Sequence, residues 1–511
     1  MRRGAIKFHR VNPLLLAFAF LLPFNQAFGQ SDPVGHAPEL ACRVDRISPQ
    51  RHTLDVSCVA VLPAKKFQLR FTDQFAGVGG LSERVYGLKI KDAKSDALQL
   101  ELRGDGWYSF AVTGEAQPIT ISYEMRLARA LDPSQFALVS SLGETAGFLM
   151  PGDLLPRLCA DEPACNEAMK PVRLQITAPQ GWQIAATGKR GEEFFEIHDP
   201  QRAIFFLARR REKTIVAGAM NVQIAIAGDW GFGDEEVFKL AEAIAREQAA
   251  IVGSREKGDF LVTLAPFPQP LTGLRSSAVT IGRTVALMLN PNNDPAATFA
   301  HYRRHLAHEM FHFYLPNAFR IRESFDWFWE GFTRYVALVT LARLRLIGLR
   351  EYLDAIGAEY EAYWFNPLRT RISLVAASPE KFADAASYDL VYRKGMLVAA
   401  LYDLELRWQS RGKVNLADVV RRLYQDHALR GREVGNREVL DEMRRLGDFS
   451  RSIRDDIEGV REIDLGERVK PYGLVMEWYT TGRGGTRLKP ATKLSHRQRE
   501  LLSDLTKTAN Q

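Results

Sequence analysis

Apolar residues recur with a period near two in the first half of the chain and near 3.6 in the second, so strands are predicted first and helices later. Lys66 to Phe71, Ile119 to Tyr123, Arg173 to Thr177 and Val222 to Ile226 each alternate at least partly between apolar and polar side chains. Gly, Pro and Asp punctuate the gaps, as in a sandwich of short strands. The period changes near Asp234. Glu235 to Val252 is rich in Ala and free of Gly and Pro, which predicts a helix. Two strand-like runs follow, Phe260 to Ala265 and Thr284 to Leu289. From Pro295 to about Leu446 the chain reads as mostly helical, with breaks at Pro316, Gly348, Pro367, Pro379 and Gly412. The stretch from about Pro471 is basic, contains Gly482-Arg-Gly-Gly485 and reads as a loose tail.

A chain of 511 residues exceeds one ordinary core, so two or three domains are expected. The first residues are of another kind. Arg2, Arg3, Lys7 and Arg10 precede a short apolar run, Leu14 to Leu22, and Ala27-Phe-Gly29 supplies small residues at a cleavage spacing. This divides the chain into a signal peptide (1–29), a β-rich domain (30–230), a catalytic domain (231–475) and a basic C-terminal tail (476–511). Export to the periplasm or the medium follows. No later stretch approaches the roughly 20 apolar residues of a membrane span, so no anchor is expected after cleavage. Removing the four basic residues of the signal takes the net charge from +7 to +3. That excess is too small to argue for nucleic acid. The four cysteines suit an oxidising compartment: Cys42 and Cys58 flank a strand-turn-strand, and Cys159 and Cys165 bracket a short loop, so these two disulfides are favoured among three pairings.

The chemistry lies in the helical half. Asp294-Pro295 is a good helix start, an acidic cap followed by Pro at the first position. The helix carries His308-Glu309-Met-Phe-His312. A spacing of four puts the two imidazoles on one face, one turn apart, where both can reach one Zn²⁺ while Glu309 reaches a water. His301 and His305 share the helix, so a merely His-rich face is the plainer alternative. A catalytic zinc takes three protein ligands. Glu330 sits in a second predicted helix, from Trp327 to about Ile347, within strongly apolar text. A buried carboxylate there needs a cation, either zinc or Arg334 one turn on. Tyr388 and Tyr392 follow, and a phenol near the metal could donate to an oxyanion.

These segments resemble the gluzincin metallopeptidases. The likeness to the glycyl aminopeptidase family is carried by Glu330-Gly-Phe-Thr333, Tyr392-Arg-Lys-Gly395 with its continuation to Arg407, and Asn415 to Tyr424. It extends over about residues 40–475 and is strong from 295. The aminopeptidase N group is a more distant relative. The resemblance implies an α+β fold, a β-rich N-terminal domain followed by a mostly helical thermolysin-like catalytic domain. It implies one Zn²⁺ per chain on His308, His312 and Glu330, Glu309 as general base, Tyr392 as oxyanion stabiliser, and a peptide or protein substrate. Two departures bear on specificity. Seventeen residues separate His312 from Glu330, one fewer than is usual in the aminopeptidase N group. Thr272-Gly-Leu-Arg275-Ser-Ser277 stands where the family carries a Gly-Gly-Leu-Glu-His-like segment, which puts a cation at the position of an amine-binding acid. Arg275 would repel an amino terminus and attract a carboxylate, unless it simply lies on a solvated loop. A catalytically silent, peptide- or partner-binding protein of the cell envelope is the competing reading, and retention of Glu309 speaks against it.

Overall fold

Alternating burial builds the first half into strands. In Thr53–Leu62, Leu54, Val56, Cys58, Ala60 and Leu62 point into the core. That strand pairs antiparallel with Leu40–Ser48 on one side and Gln117–Arg126 on the other, within a seven-stranded sheet. A four-stranded sheet containing Lys65–Arg70 and Trp107–Val112 shares its core, where Phe67, Leu69 and Phe110 meet Val56 and Ile121. The fold is described here from a computed structural model, over residues 40–127, 131–166, 169–479 and 485–507. The expected signal segment, residues 1–29, lies outside them. Cys42 stands directly opposite Cys58 in the strand register, and both sulfur pairs, Cys42–Cys58 and Cys159–Cys165, lie at disulfide distance.

The part that positions the chemistry is a five-stranded sheet with helices on one face. Its strands are β1 (Arg210–Ala217), β2 (Ala219–Ala227), β3 (Lys257–Pro266), β4 (Ser276–Ile281) and β5 (Thr284–Leu289), in the spatial order β1-β2-β3-β5-β4. β2, β3 and β5 run parallel, whereas β1 and β4 are antiparallel to their neighbours, so β4 is an edge. The sequence placed β1 and β2 among the N-terminal strands. They pair instead with β3, because β2 is apolar on both faces and needs two covers. Val222, Ile224 and Ile226 pack under helices, and Ala225 and Ala227 pack against Phe148 and Phe206.

Helix α1 (Asp234–Val252) crosses between β2 and β3, and α2 (Pro295–Phe311) follows β5. Asp294 caps α2 by accepting from the Ala297 amide, as its sequence predicted. The second predicted helix is interrupted at one residue, giving α3 (Asp326–Trp329) and α4 (Gly331–Arg343) with Glu330 between them. Further helices are α5 (Leu349–Trp364) and α6 (Ala385–Ser410), which start after Gly348 and Asp384. α4 and α6 approach closely at two glycines: a Cβ on Gly331 would stand 2.5 Å from the Gly395 backbone. No described helix is long and apolar enough to cross a membrane.

The C-terminal stretch is not a loose tail. Leu474–Tyr479 and Gly485–Pro490 form a hairpin, and His496–Asp504 is a helix. Leu488, Leu501, Leu502 and Leu505 are buried in the core of the helical region, and that burial overrides the basic, Gly-containing composition. Most of the Gly-rich segment, 480–484, lies outside the described residues.

Candidate active site

Three donor atoms converge from α2 and the α3–α4 junction. His308 Nε2 and His312 Nε2 are 3.1 Å apart, and Glu330 Oε2 is 3.5 Å from the first and 3.4 Å from the second. A four-coordinate ion with bonds of about 2.0–2.1 Å spaces its ligands by roughly 3.3 Å, so these separations fit a zinc site. Two more observations agree. Glu330 Oε2 is buried and has no hydrogen-bond partner, an arrangement that calls for a cation. His312 donates from Nδ1 to the Leu315 carbonyl at 2.7 Å, which fixes the ring so that Nε2 is the nitrogen turned to the cluster. His308, His312 and Glu330 are the one group among the described residues with such metal-ligand spacing.

The remaining oxygen of Glu330 is held. Lys381 Nζ donates to Oε1 at 3.1 Å and also contacts Asp326. Burial opposes charge on Glu330, but Lys381 and then His312 outweigh it and hold the carboxyl well below its usual range. Burial likewise opposes a charged His312, yet Glu330 lifts that imidazole to about 9. Glu330 thus favours a positive charge at Nε2 of His312, be it a proton or a metal ion. Arg334, the alternative partner of Glu330, is committed elsewhere: its Nε and Nη2 donate to Glu359 Oε1 at 2.9 and 2.7 Å.

Glu309 lies on α2 beside the donors and is buried. Its Oε2 accepts from Thr280 Oγ1 at 2.8 Å, and the same hydroxyl is 2.7 Å from the Glu309 carbonyl. Thr280 belongs to the edge strand β4, which therefore runs alongside the catalytic-type helix. On the opposite wall, Tyr392 stacks on His308 with ring centroids 6.3 Å apart, and Tyr388 stacks on Tyr392 at 4.4 Å. Burial pushes the Tyr392 phenol well above its ordinary value, so it is a neutral donor.

The structure leaves Arg275 out of this group. Arg275 is exposed and precedes β4, and strand alternation gives it the face of Ser277, not that of Thr280. Ser277 bonds Ser134 and Ala137, away from α2. Asp132, held low chiefly by hydrogen bonds from Ser134, also feels the Arg275 charge from that side. Ser276 faces α2 and bonds both His305 (2.9 Å) and His301 (3.0 Å). These two histidines are therefore satisfied by a hydroxyl one to two turns from the donor cluster.

Sequence reasoning missed Thr280, Lys381 and Glu359. The alternation Ser276, Ala278, Thr280 on an edge strand could have found the first. Lys381 and Glu359 carry no local signal: the turn before α6 brings Lys381 to Asp326 and Glu330, and the packing of α5 on α4 brings Glu359 to Arg334. Beyond Thr280, at Ile281, begins a cavity of about 460 Å³ bounded by Thr72 to Phe75, Trp107 and Gly152.

No family model matches the sequence, and no curated protein matches it. Solved structures do. An aminopeptidase N family protein from Idiomarina loihiensis aligns over 90% of this chain and 82% of its own, with a TM-score of 0.74 and 16% identity. An M1 zinc metallopeptidase from Deinococcus radiodurans aligns over 84% of this chain and 94% of its own, with a TM-score of 0.51 and 14% identity. At such identities the likeness establishes the fold, and the β-rich N-terminal and helical C-terminal architecture of this chain is that of the M1 zinc metallopeptidases.

Proposed function

We propose that this chain is an exported, zinc-dependent peptidase of the gluzincin type, nearest to the glycyl aminopeptidase family by its Tyr392-Arg-Lys-Gly395 segment. The convergence of His308, His312 and Glu330 beside Glu309 carries this reading. The two disulfide pairs are in keeping with export.

His308 and His312 would hold the ion through Nε2, and Glu330 through its free Oε2. Bound there, zinc supplies a Lewis acid that polarises the scissile carbonyl and makes water acidic near neutral pH. Glu309 takes the proton of the attacking water and passes it to the leaving amine. The Thr280 hydroxyl fixes the carboxylate of Glu309 for both transfers. Tyr392 donates its phenolic proton in a hydrogen bond to the carbonyl oxygen as negative charge develops on it. Lys381 keeps Glu330 ionised and turned so that Oε2 faces the imidazoles. A peptide can add along the open side of β4, whose backbone groups would position it by main-chain hydrogen bonds.

A chelation experiment tests the reading. Dialysis against a chelator is expected to abolish cleavage of a mixed peptide set, and one equivalent of zinc is expected to restore it. Cleavage that persists in the metal-free protein would contradict it. Running free and N-acetylated peptides in parallel separates the exopeptidase from the endopeptidase version. With Arg275 on the face of Ser277, both forms are expected to be cut.

A further inference from the structure

We infer that the end of the cleft next to Ser276 reads a substrate carboxylate, through Arg334. The inference rests on the peptidase reading and names the substrate class for the same site. β4 gives the cleft a direction. Its Ser276 end lies by His301 and His305, its Thr280 by Glu309, and its Ile281 at the mouth of the 460 Å³ cavity. A peptide that pairs antiparallel with this strand runs the opposite way. Its amino end then lies toward Ile281 and the cavity, and its carboxyl end toward Ser276. From Thr280 to Ser276 is four residues, about 13 Å of strand, so the carboxylate belongs within about three residues of the scissile bond.

Arg334 is the cation at that end. It follows Glu330 by one helical turn, so both side chains leave the same face of the α3–α4 segment. Its helix, α4, packs against both α2 and α6. The Arg334 charge adds a little to the lowering of His305, on α2 one turn before His308, after burial, and partly opposes the rise that burial imposes on Tyr388, on α6 one turn before Tyr392. Arg334 thus stands on the helix packed between the two walls of the cleft. Its side chain is about a third exposed, at 36%. Glu359 on α5 anchors it, taking both Nε and Nη2 on one oxygen, and accepts Arg393 Nη1 on the other at 2.7 Å. Nη1 of Arg334 makes no hydrogen bond among the described residues.

The charges around this end favour an anion. Glu359 is one carboxylate against two guanidiniums, and the second acid near Arg393, Asp389, is half exposed at 48%. Arg304 adds a further cation beside His301 and His305. A guanidinium already oriented by a buried acid loses little freedom on binding, and its geometry suits a carboxylate. Two sources could supply that group: the free C-terminus of a short peptide, or an Asp or Glu side chain just after the scissile bond.

Four matched peptides test this on the zinc-loaded, full-length protein: a tripeptide as free acid and as amide, and an amidated longer peptide with Glu or Gln following the scissile bond. The expected kcat/KM ratio, acid over neutral partner, is about tenfold or more in at least one pair. The pair that discriminates identifies the source. Arg334→Gln is expected to bring that ratio to near one, and Arg334→Lys to leave part of it, each at one zinc per chain. Ratios near one in the wild-type protein, or a ratio kept in Arg334→Gln, would overturn the inference and leave the peptidase reading standing. If none of the four is cut, the peptidase reading falls and this inference with it.

Discussion

Glu330 has one oxygen on a lysine and the other turned to two imidazoles, and that division accounts for most of the local design. Lys381 sits between two buried acids, Asp326 and Glu330. Removing the cation leaves both carboxylates without it, at a cost of about 3–5 kcal/mol for a broken buried pair. Lys381→Met is therefore expected to lower the melting temperature of the metal-free protein. Zinc, by supplying the missing charge, is expected to raise it more than in the wild type. Thermal melts with and without zinc check this, and equal zinc-induced shifts would contradict the bracing role. At this scale much of the site was legible. His308, Glu309, His312 and Glu330 announce themselves by helical spacing and by an acid in apolar text. Lys381 does not, because its partners lie 51 and 55 positions away in sequence. Arg275 meets a related limit: its place in a motif-like string said nothing about which face of β4 it would take.

The helices meet the same limit. α6 is predicted well, yet the reason for its Gly395 is visible only where Gly331 comes against it. Lys394, next to that glycine, is fully buried with Nζ unpaired among the described residues. Burial brings its amine down to about 8, with Asp456 only partly opposing. Below that value folded and unfolded chains both carry the proton, so the native state bears the full cost of the buried charge. As pH rises from about 8 toward 10.5, the native chain sheds the proton first, the unfolded chain binds more protons, and stability rises. Lys394→Met is expected to be more stable than wild type at pH 7, by on the order of 3 kcal/mol. The gap is expected to narrow by pH 10. Denaturant titrations at the two pH values measure it, and a gap independent of pH would rule out the buried ammonium as its source.

Over the whole molecule, the strand-then-helix order was readable from periodicity alone, because period and burial coincide in strands such as Thr53–Leu62 and helices such as α1. Membership of sheets was not. β1 and β2 read as more of the N-terminal strands, and only their pairing with β3 joins them to the helical region. The C-terminal hairpin and helix were hidden by composition, although Leu501, Leu502 and Leu505 already stood at helical spacing. The Cys42–Cys58 pair was legible from its flanking strands. It closes a separation of 16 residues, which in the chain-entropy account stabilises by about 3 kcal/mol. Replacing both cysteines by alanine is expected to lower unfolding free energy by at least that amount, since both side chains are also buried. A change below about 1 kcal/mol in urea titrations would show that the sheet does not depend on the bond.

The account stands or falls on what Glu309 does beside the His308, His312 and Glu330 donors. The direct measurement is peptide hydrolysis by the wild-type protein and by Glu309→Gln, each brought to one zinc per chain and verified by metal analysis. Hydrolysis by the wild type and a fall of at least about a thousandfold in the variant, at equal zinc content, are expected. Equal rates in the two proteins, or a wild-type chain that takes up no zinc, would contradict the account.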